Sequence, residues 1–286
     1  MAKKALLVGI NDYAPAGPGG PDLNGCVNDV RDMANTLSVM GIVPATPASM
    51  QILTDARATR AAIMSGLQWL VKGAKSGDVL VFYYSGHGSQ VMDVHNDEPD
   101  GKDETICPHD FATAGMILDD DFNSIFKGLD AGVNLDIILD SCHSGSGTRE
   151  LAALAAMPDE HSLTYRYIEP PIDVGFMIDA APPMEVRGIF RRRDINGSRA
   201  PVAITGLNHV LWAGCRDNQT SAETNIGGVV RGVFTYNFCK VLRGAGLAIT
   251  RRKLDAQITV NIKGMGHSQV PQLEGTSASL SQKVFT

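Results

Sequence analysis

The sequence predicts an α/β fold, with a central, mostly parallel sheet covered by helices on both faces. Apolar runs of strand length alternate with helix-period stretches over the first half of the chain. The strand-like runs are continuously apolar, as strands buried on both faces are. The segments between them suit right-handed crossovers, which place helices on both sides of a parallel sheet. With 286 residues, 44% of them hydrophobic and 20% charged, the chain can bury a core in one large domain.

The elements follow in order. Ala5–Ile10 reads as the first strand. It follows a basic start, but its apolar run is shorter than a signal-peptide core and Asn11-Asp12 ends it. Val27–Met40 reads as a helix with Val27, Val30, Ala34 and Leu37 on its apolar face and Gly41 as its stop. Gln51–Leu53 reads as a short strand. Thr59 caps a helix running to Gly73, with Ile63, Leu67 and Leu70 inward. Val79–Tyr84 and Leu135–Leu139 read as buried strands on either side of a short helix, Asp119–Leu129. Residues 146–200 break the rhythm with Pro170-Pro171, Pro182-Pro183 and the run Arg191-Arg192-Arg193, and read as a long insertion, the arginine run as solvated loop. Order resumes with a strand at His209–Gly214, helices at Gly232–Leu242 and Arg251–Ile262, and an edge strand at Val270–Leu273, where Pro271 is tolerated.

Composition excludes several function classes. A net charge of -6 argues against a nucleic-acid or anionic-membrane partner. No stretch approaches the roughly 20 apolar residues that span a bilayer. The five cysteines are odd in number and scattered without a CxxC pair, so neither zinc site nor disulfide framework is expected, and a reduced, cytoplasmic protein is. Gly17, Gly19 and Gly20 have no phosphate-loop spacing, which removes a nucleotide-binding reading.

His87 and Cys142 carry the chemistry. Each follows a predicted strand and lies beside glycine, in Ser85-Gly86-His87-Gly88 and Asp140-Ser141-Cys142-His143-Ser144-Gly145. Active sites of such sheets lie at the carboxyl ends of strands. A thiol is mostly protonated near neutral pH, and a neighbouring imidazole can take its proton. His143, adjacent to the thiol on an extended segment, would point to the other side of the strand.

These two motifs, Asn24-Gly25-Cys26-Val27-Asn28-Asp29-Val30, Asp119-Asp120-Asp121-Phe122, the stretch 214–222, Gly232-Val233-Phe234-Thr235-Tyr236 and 268–273 resemble, in order, those of metacaspases, and specifically the bacterial (orthocaspase-type) ones. The resemblance implies a caspase-like α/β/α sandwich over 1–286, with 1–145 matching the large catalytic part, 146–200 the insertion and 201–286 the small part. It implies a cysteine endopeptidase working by a His87–Cys142 dyad, with Cys142 as nucleophile and His87 as general acid/base. The backbone N–H groups of Gly88 and Cys142 would form the oxyanion hole. Asp29, Ser85 and Asp140 match the first specificity pocket, which implies cleavage of a peptide or protein substrate after arginine or lysine. Two convergent carboxylates are well matched by a guanidinium. A monomer is implied, and no cofactor is required for the chemistry.

Calcium is implied as an activator through Asp103, Asp119 and Asp120. An EF-hand is excluded, because the twelfth position would be Cys107. Arg149 stands near where a further aspartate is expected, so a calcium site and a plain solvated acidic loop (with Asp97, Glu98, Asp100 and Glu104) both stay open. Arginines 187, 191, 192, 193 and 199 are candidate self-processing sites. Two alternatives remain: a catalytically silent scaffold using the same cleft to bind a partner, and a legumain- or gingipain-like peptidase, which would lack Gln219–Ala222.

Overall fold

The computed structural model describes residues 1–14, 21–92, 102–130, 132–142, 164–166, 168, 192–193, 199–200, 208–215 and 221–286. The chain begins with β1 (Lys3–Gly9), α1 (Cys26–Val39), β2 (Met50–Thr54), α2 (Arg60–Val71) and β3 (Val79–Ser85). Next come β4 (Gly88–Met92), β5 (Lys102–Ile106), α3 (Phe111–Ala114), β6 (Ile117–Leu118), α4 (Asp119–Phe126) and β7 (Asn134–Asp140). Then follow β8 (Thr164–Tyr165), β9 (Arg192–Arg193), β10 (Arg199–Ala200), β11 (Asn208–Ala213), β12 (Ala222–Ile226) and β13 (Val229–Gly232). The chain closes with α5 (Val233–Ala245), α6 (Arg251–Gly264), β14 (Gln272–Glu274) and α7 (Ser277–Ser281).

The main sheet has six strands in the order β14-β11-β7-β3-β1-β2. All neighbours are parallel except the β11–β14 pair at the edge. The α/β expectation therefore holds. The pleat sends successive side chains to opposite faces. Leu80, Phe82 and Tyr84 of β3 pack with Leu67 and Leu70 of α2 and Phe122 and Phe126 of α4. Val79, Val81 and Tyr83 join the other layer, with Met33 of α1, Phe234 and Phe238 of α5, and Ile258 of α6. Asp136 interrupts the apolar run of β7 yet is fully buried, because Arg251 pairs with it at 3.2 Å and Trp212 Nε1 donates to it. Thr59 caps α2 through its side chain, as its sequence implies.

Some expectations need correcting. The last strand starts at Gln272, so Pro271, which has no N–H to donate, precedes the ladder instead of sitting within it. Arg192–Arg193, expected as solvated loop, pairs antiparallel with Arg199–Ala200. Two antiparallel sheets, β4-β5-β6 and β13-β12-β8, were not anticipated. The β12–β13 hairpin closes through Gly227-Gly228, whose φ values of 65° and 86° are those of a tight primed turn. Both small sheets flank the carboxyl ends of β3 and β7, where the site lies.

Candidate active site

The β3–β7 register pairs Ser85 with Asp140. His87 and Cys142, each two residues further on, therefore leave the sheet at the same level on neighbouring strands. Two tyrosine hydroxyls fix the backbone of His87. Its N–H donates to Tyr13 Oη at 2.8 Å, and Tyr84 Oη donates to its carbonyl at 2.7 Å and to the Cys107 carbonyl at 2.8 Å. A Cβ on Gly86 would lie 2.5 Å from the Tyr84 hydroxyl and 2.6 Å from that of Tyr13, so only glycine lets the turn close over them.

The His87 ring is buried and tilted against Tyr13. Nε2 donates to the Pro21 carbonyl, an acceptor, which leaves the lone pair on Nδ1. Nδ1 has no hydrogen-bond partner among the described residues. Burial pushes the imidazole pKa down to about 4, the carbonyl of Pro21 opposing it. The ring is neutral near pH 7, with its free lone pair available as a base.

Cys142 is fully buried. Its Sγ accepts the Ser221 N–H at 2.5 Å and lies 3.3 Å from the Ser221 carbonyl. The thiol is thus turned toward Ser221 and is not hydrogen-bonded to His87.

Beside these residues lies a buried acidic pocket. Asp29, from the first turn of α1, and Asp140, from the end of β7, both face it, with Ser85 between them donating to Asp29 at 2.9 Å. Sequence reasoning missed a third carboxylate, Glu223 of β12, and the cation that all three surround, Arg166. Its guanidinium meets Asp29 at 2.7 Å, Asp140 at 3.2 Å and Glu223 at 3.3 Å, all four side chains being essentially inaccessible, and donates to Ser85 at 2.8 Å. Burial opposes the charge of Arg166, but Asp140, Cys26, Asp29 and Glu223 hold its pKa raised. Burial raises Asp29 to about 6 even though Arg166 counteracts it.

Backbone dipoles support the carboxylates. Asp29 accepts the Gly232 N–H at 2.9 Å and Asp140 accepts the Thr235 N–H at 3.1 Å, both at the start of α5. Glu223 accepts the N–H groups of Asn24 and Gly25 just before α1, at 2.8 and 3.0 Å. Helix N-termini favour negative charge. A Cβ on Gly232 would stand 2.2 Å from Asp140 Oδ2 and 2.7 Å from Asp29 Oδ2, so this glycine forms the pocket wall.

The backbone of Arg166 is held as firmly as its side chain. β8 pairs antiparallel with β12, and the Arg166 N–H donates to Ser221 at 3.3 Å. The Arg166 carbonyl oxygen accepts from Gly88 N–H at 3.0 Å and Cys142 N–H at 3.2 Å. The N–H of Ile168 donates to the Gly88 carbonyl at 3.0 Å. An extended segment therefore crosses the cleft with its arginine in the acidic pocket and its carbonyl on two convergent amides.

The acidic residues expected near calcium are less convergent. Asp119 is buried, and its Oδ1 accepts the N–H of Asp120 at 2.9 Å, while Asp121 pairs with Arg60 at 2.7 Å. Asp103 lies on β5, in register with Val91. Among the described residues no group of three or more His, Cys, Asp or Glu side chains converges to hold a metal. Asp97, Glu98, Asp100, His143, Arg149, Gln219, Arg187 and Arg191 lie outside the described residues. No described helix is long and apolar enough to cross a membrane.

Residues 3–149 match the metacaspase, peptidase C14 domain model. The chain is 36% identical over 264 residues to Metacaspase-1 of Ajellomyces capsulatus, covering 84% of this chain and 71% of that protein. It is 35% identical to Metacaspase-1A of Aspergillus oryzae, of which it spans only 60%. The crystal structure of protein GSU0716 from Geobacter sulfurreducens superposes with a TM-score of 0.68 at 27% identity, covering 100% of this chain and 99% of that one. The relatives that carry the family name are fungal, so the family is supported without the bacterial qualifier. The chain belongs to the metacaspase family of cysteine peptidases, through its peptidase C14 domain.

Proposed function

We propose that the protein is an endopeptidase that cleaves after arginine or lysine, with Cys142 as nucleophile and His87 as general acid/base. The observation that carries the reading is the seat of Arg166: guanidinium among Asp29, Asp140, Glu223 and Ser85, carbonyl oxygen on the N–H groups of Gly88 and Cys142. A substrate arginine bound in the same way would present its carbonyl carbon beside the thiol.

In this reading Nδ1 of His87 takes the Cys142 proton after the thiol turns away from Ser221. The thiolate attacks the carbonyl carbon, and the developing oxyanion is held by the two backbone donors. His87 then gives its proton to the leaving amine, and a thioester remains on Cys142. Water, deprotonated by His87, attacks the thioester and returns the thiol. No step is routed through a metal. Calcium remains an expectation of the resemblance; Asp119, one of its expected ligands, is buried at the start of α4 and accepts the Asp120 N–H. Five free cysteines, all buried, suit a reducing compartment such as the cytoplasm.

The test is turnover of fluorogenic peptides ending in arginine, lysine or aspartate by wild type and Cys142→Ala, with and without calcium. Cys142-dependent release from the arginyl and lysyl peptides only is expected. Absence of such release under every condition would overturn the reading and leave the cleft as a binding module.

A further inference from the structure

We infer that Gln269 is a positioning residue: acting through Ser221, it holds the Cys142 thiol and the Asp140 carboxylate in one fixed arrangement. The inference deepens the proposed peptidase reading and rests on it for the roles of Cys142 and Asp140, but the hold on the thiol can be measured without turnover. The stretches 214–222 and 268–273, far apart in sequence, meet at this residue.

Gln269 lies between α6 and β14 and is buried. Its Oε1 accepts the N–H of Ala222 at 3.2 Å, which sets the orientation of the amide. Both amide hydrogens are then committed. Nε2 donates to the Gly214 carbonyl at 2.6 Å and to Ser221 Oγ at 3.1 Å. Gln269 thereby ties the end of β11 to the start of β12. Gly214 is itself anchored on the neighbouring strand, its N–H donating to the Leu139 carbonyl of β7 at 2.8 Å. A hydroxyl has one proton to give. Having accepted from Gln269, Ser221 Oγ gives its own to Asp140 Oδ1 at 2.5 Å. The main chain of the same serine holds the thiol, its N–H donating to Cys142 Sγ at 2.5 Å and its carbonyl lying 3.3 Å from that sulfur.

One buried serine therefore touches the thiol with its backbone and a pocket carboxylate with its side chain. Gln269 fixes that hydroxyl and the amide that follows it. The packing leaves little slack: a Cβ on Gly214 would stand 2.8 Å from Ser221 Oγ and 3.2 Å from Asp140 Oδ1. A glutamine that only closed the connection from β11 to β12 would need its two backbone bonds, but not a third to a hydroxyl already committed to Asp140. Hydrogen bonds in a chain polarise one another inside a protein, so the donor on Ser221 Oγ strengthens the bond that this hydroxyl makes to Asp140. In the proposed reaction the thiol must reach a carbonyl carbon whose side chain is anchored on Asp140. A misplacement of about 1 Å between such groups can cost on the order of 100-fold in rate.

The test is alkylation of the folded full-length protein by iodoacetamide, resolved cysteine by cysteine by mass spectrometry, beside turnover of an arginyl peptide. In Gln269→Ala, Cys142 should be alkylated about tenfold faster than in wild type, because buried hydrogen bonds that restrain its surroundings are gone. Cys107 and Cys239, buried elsewhere, should keep their wild-type rates. The kcat/KM for the arginyl peptide should fall at least about tenfold. Should Gln269→Ala fail to fold, Ser221→Ala removes only the hydroxyl between Gln269 and Asp140; it should speed alkylation of Cys142 with the same selectivity and by a smaller factor. An unchanged Cys142 rate overturns the inference, as does an unchanged kcat/KM. Equal acceleration at Cys107 and Cys239 also overturns it, since a glutamine that merely stabilises the fold protects every buried thiol alike. Wild type that never turns over the peptide overturns the peptidase reading, while the alkylation rates still decide whether Gln269 holds the thiol.

Discussion

Replacing Arg166 by alanine removes the cation that pairs with three buried carboxylates, and the consequence should be large and pH-dependent. Both proteins are made with Cys142→Ala, so that the comparison reads the fold alone. Breaking a buried ion pair by deleting one partner costs about 3–5 kcal/mol, because the remaining charge stays buried without compensation. For a domain of this size that corresponds to a fall in Tm of about 5–8 °C. The pH dependence has a definite sign. Asp29 already sits at about 6 with Arg166 in place, and losing that cation raises it further. A carboxyl whose folded pKa is raised contributes stability fully present below its unfolded pKa and lost as pH rises through the folded one. The variant should therefore approach its parent near pH 5 and fall furthest below it near pH 8. Thermal unfolding at these two pH values measures the effect, and millimolar arginine amide should raise the variant's Tm but not the parent's. Equal Tm values at the higher pH, with no response to arginine amide, would refute the seating of Arg166 on which the reasoning depends.

Other outcomes follow from the same geometry. Tyr84→Phe leaves the His87 carbonyl without its hydroxyl donor, so about 1–3 kcal/mol of stability should be lost, and kcat on an arginyl peptide should fall while KM holds. Gly232→Ala places a Cβ against Asp140 and Asp29, which should destabilise the fold by at least about 1–3 kcal/mol and abolish arginyl turnover. The folded pKa of His87, depressed to about 4, contributes stability present above about 6.5 and lost as pH falls through 4. In the Cys142→Ala background the Tm advantage over His87→Gln should therefore shrink across that window, and a constant difference would contradict the buried, neutral ring.

Most of the site was legible because its parts end or begin predicted elements. His87, Cys142, Ser85 and Asp140 lie at two strand ends brought into register, and Asp29 lies in the first turn of a helix whose apolar face was plain. Tertiary structure brings all five together. Glu223 was missed because it belongs to β12, a short strand of mixed polarity. Gly227-Gly228 was a hairpin signal that went unused, but no local pattern says which face of a hairpin meets a pocket. Arg166 was missed because residues 146–200 were read as one irregular block around their proline pairs. The stretch Thr164-Tyr165-Arg166-Tyr167-Ile168 is rich in β-branched and aromatic residues, a strand signature. Its partner strand is more than 50 residues away, however, so pairing could not be inferred locally. The small sheet β4-β5-β6 escaped because β5 (Lys102–Ile106) is polar but for its last residue and β6 (Ile117–Leu118) is only two residues long, so neither shows a strand period.

The electrostatics of the pocket explain why the chain would supply its own cation. Two helix N-termini each contribute roughly half a positive charge toward the carboxylates. Together they offset about one of the three negative charges, and a guanidinium offsets another. The balance remains negative, and burial holds Asp29 up at about 6 even with Arg166 beside it. Such a pocket cannot keep all three carboxylates ionised when empty; it must protonate, admit water or take a cation. An arginine delivered by the chain at high effective concentration satisfies this need during folding, before any external substrate arrives. Its carbonyl oxygen lands on the Gly88 and Cys142 amides, one residue beyond the antiparallel pairing of Thr164–Tyr165 with β12. Stability and position thus converge on one residue: the side chain that neutralises the pocket belongs to the residue whose carbonyl oxygen rests on the Gly88 and Cys142 amides.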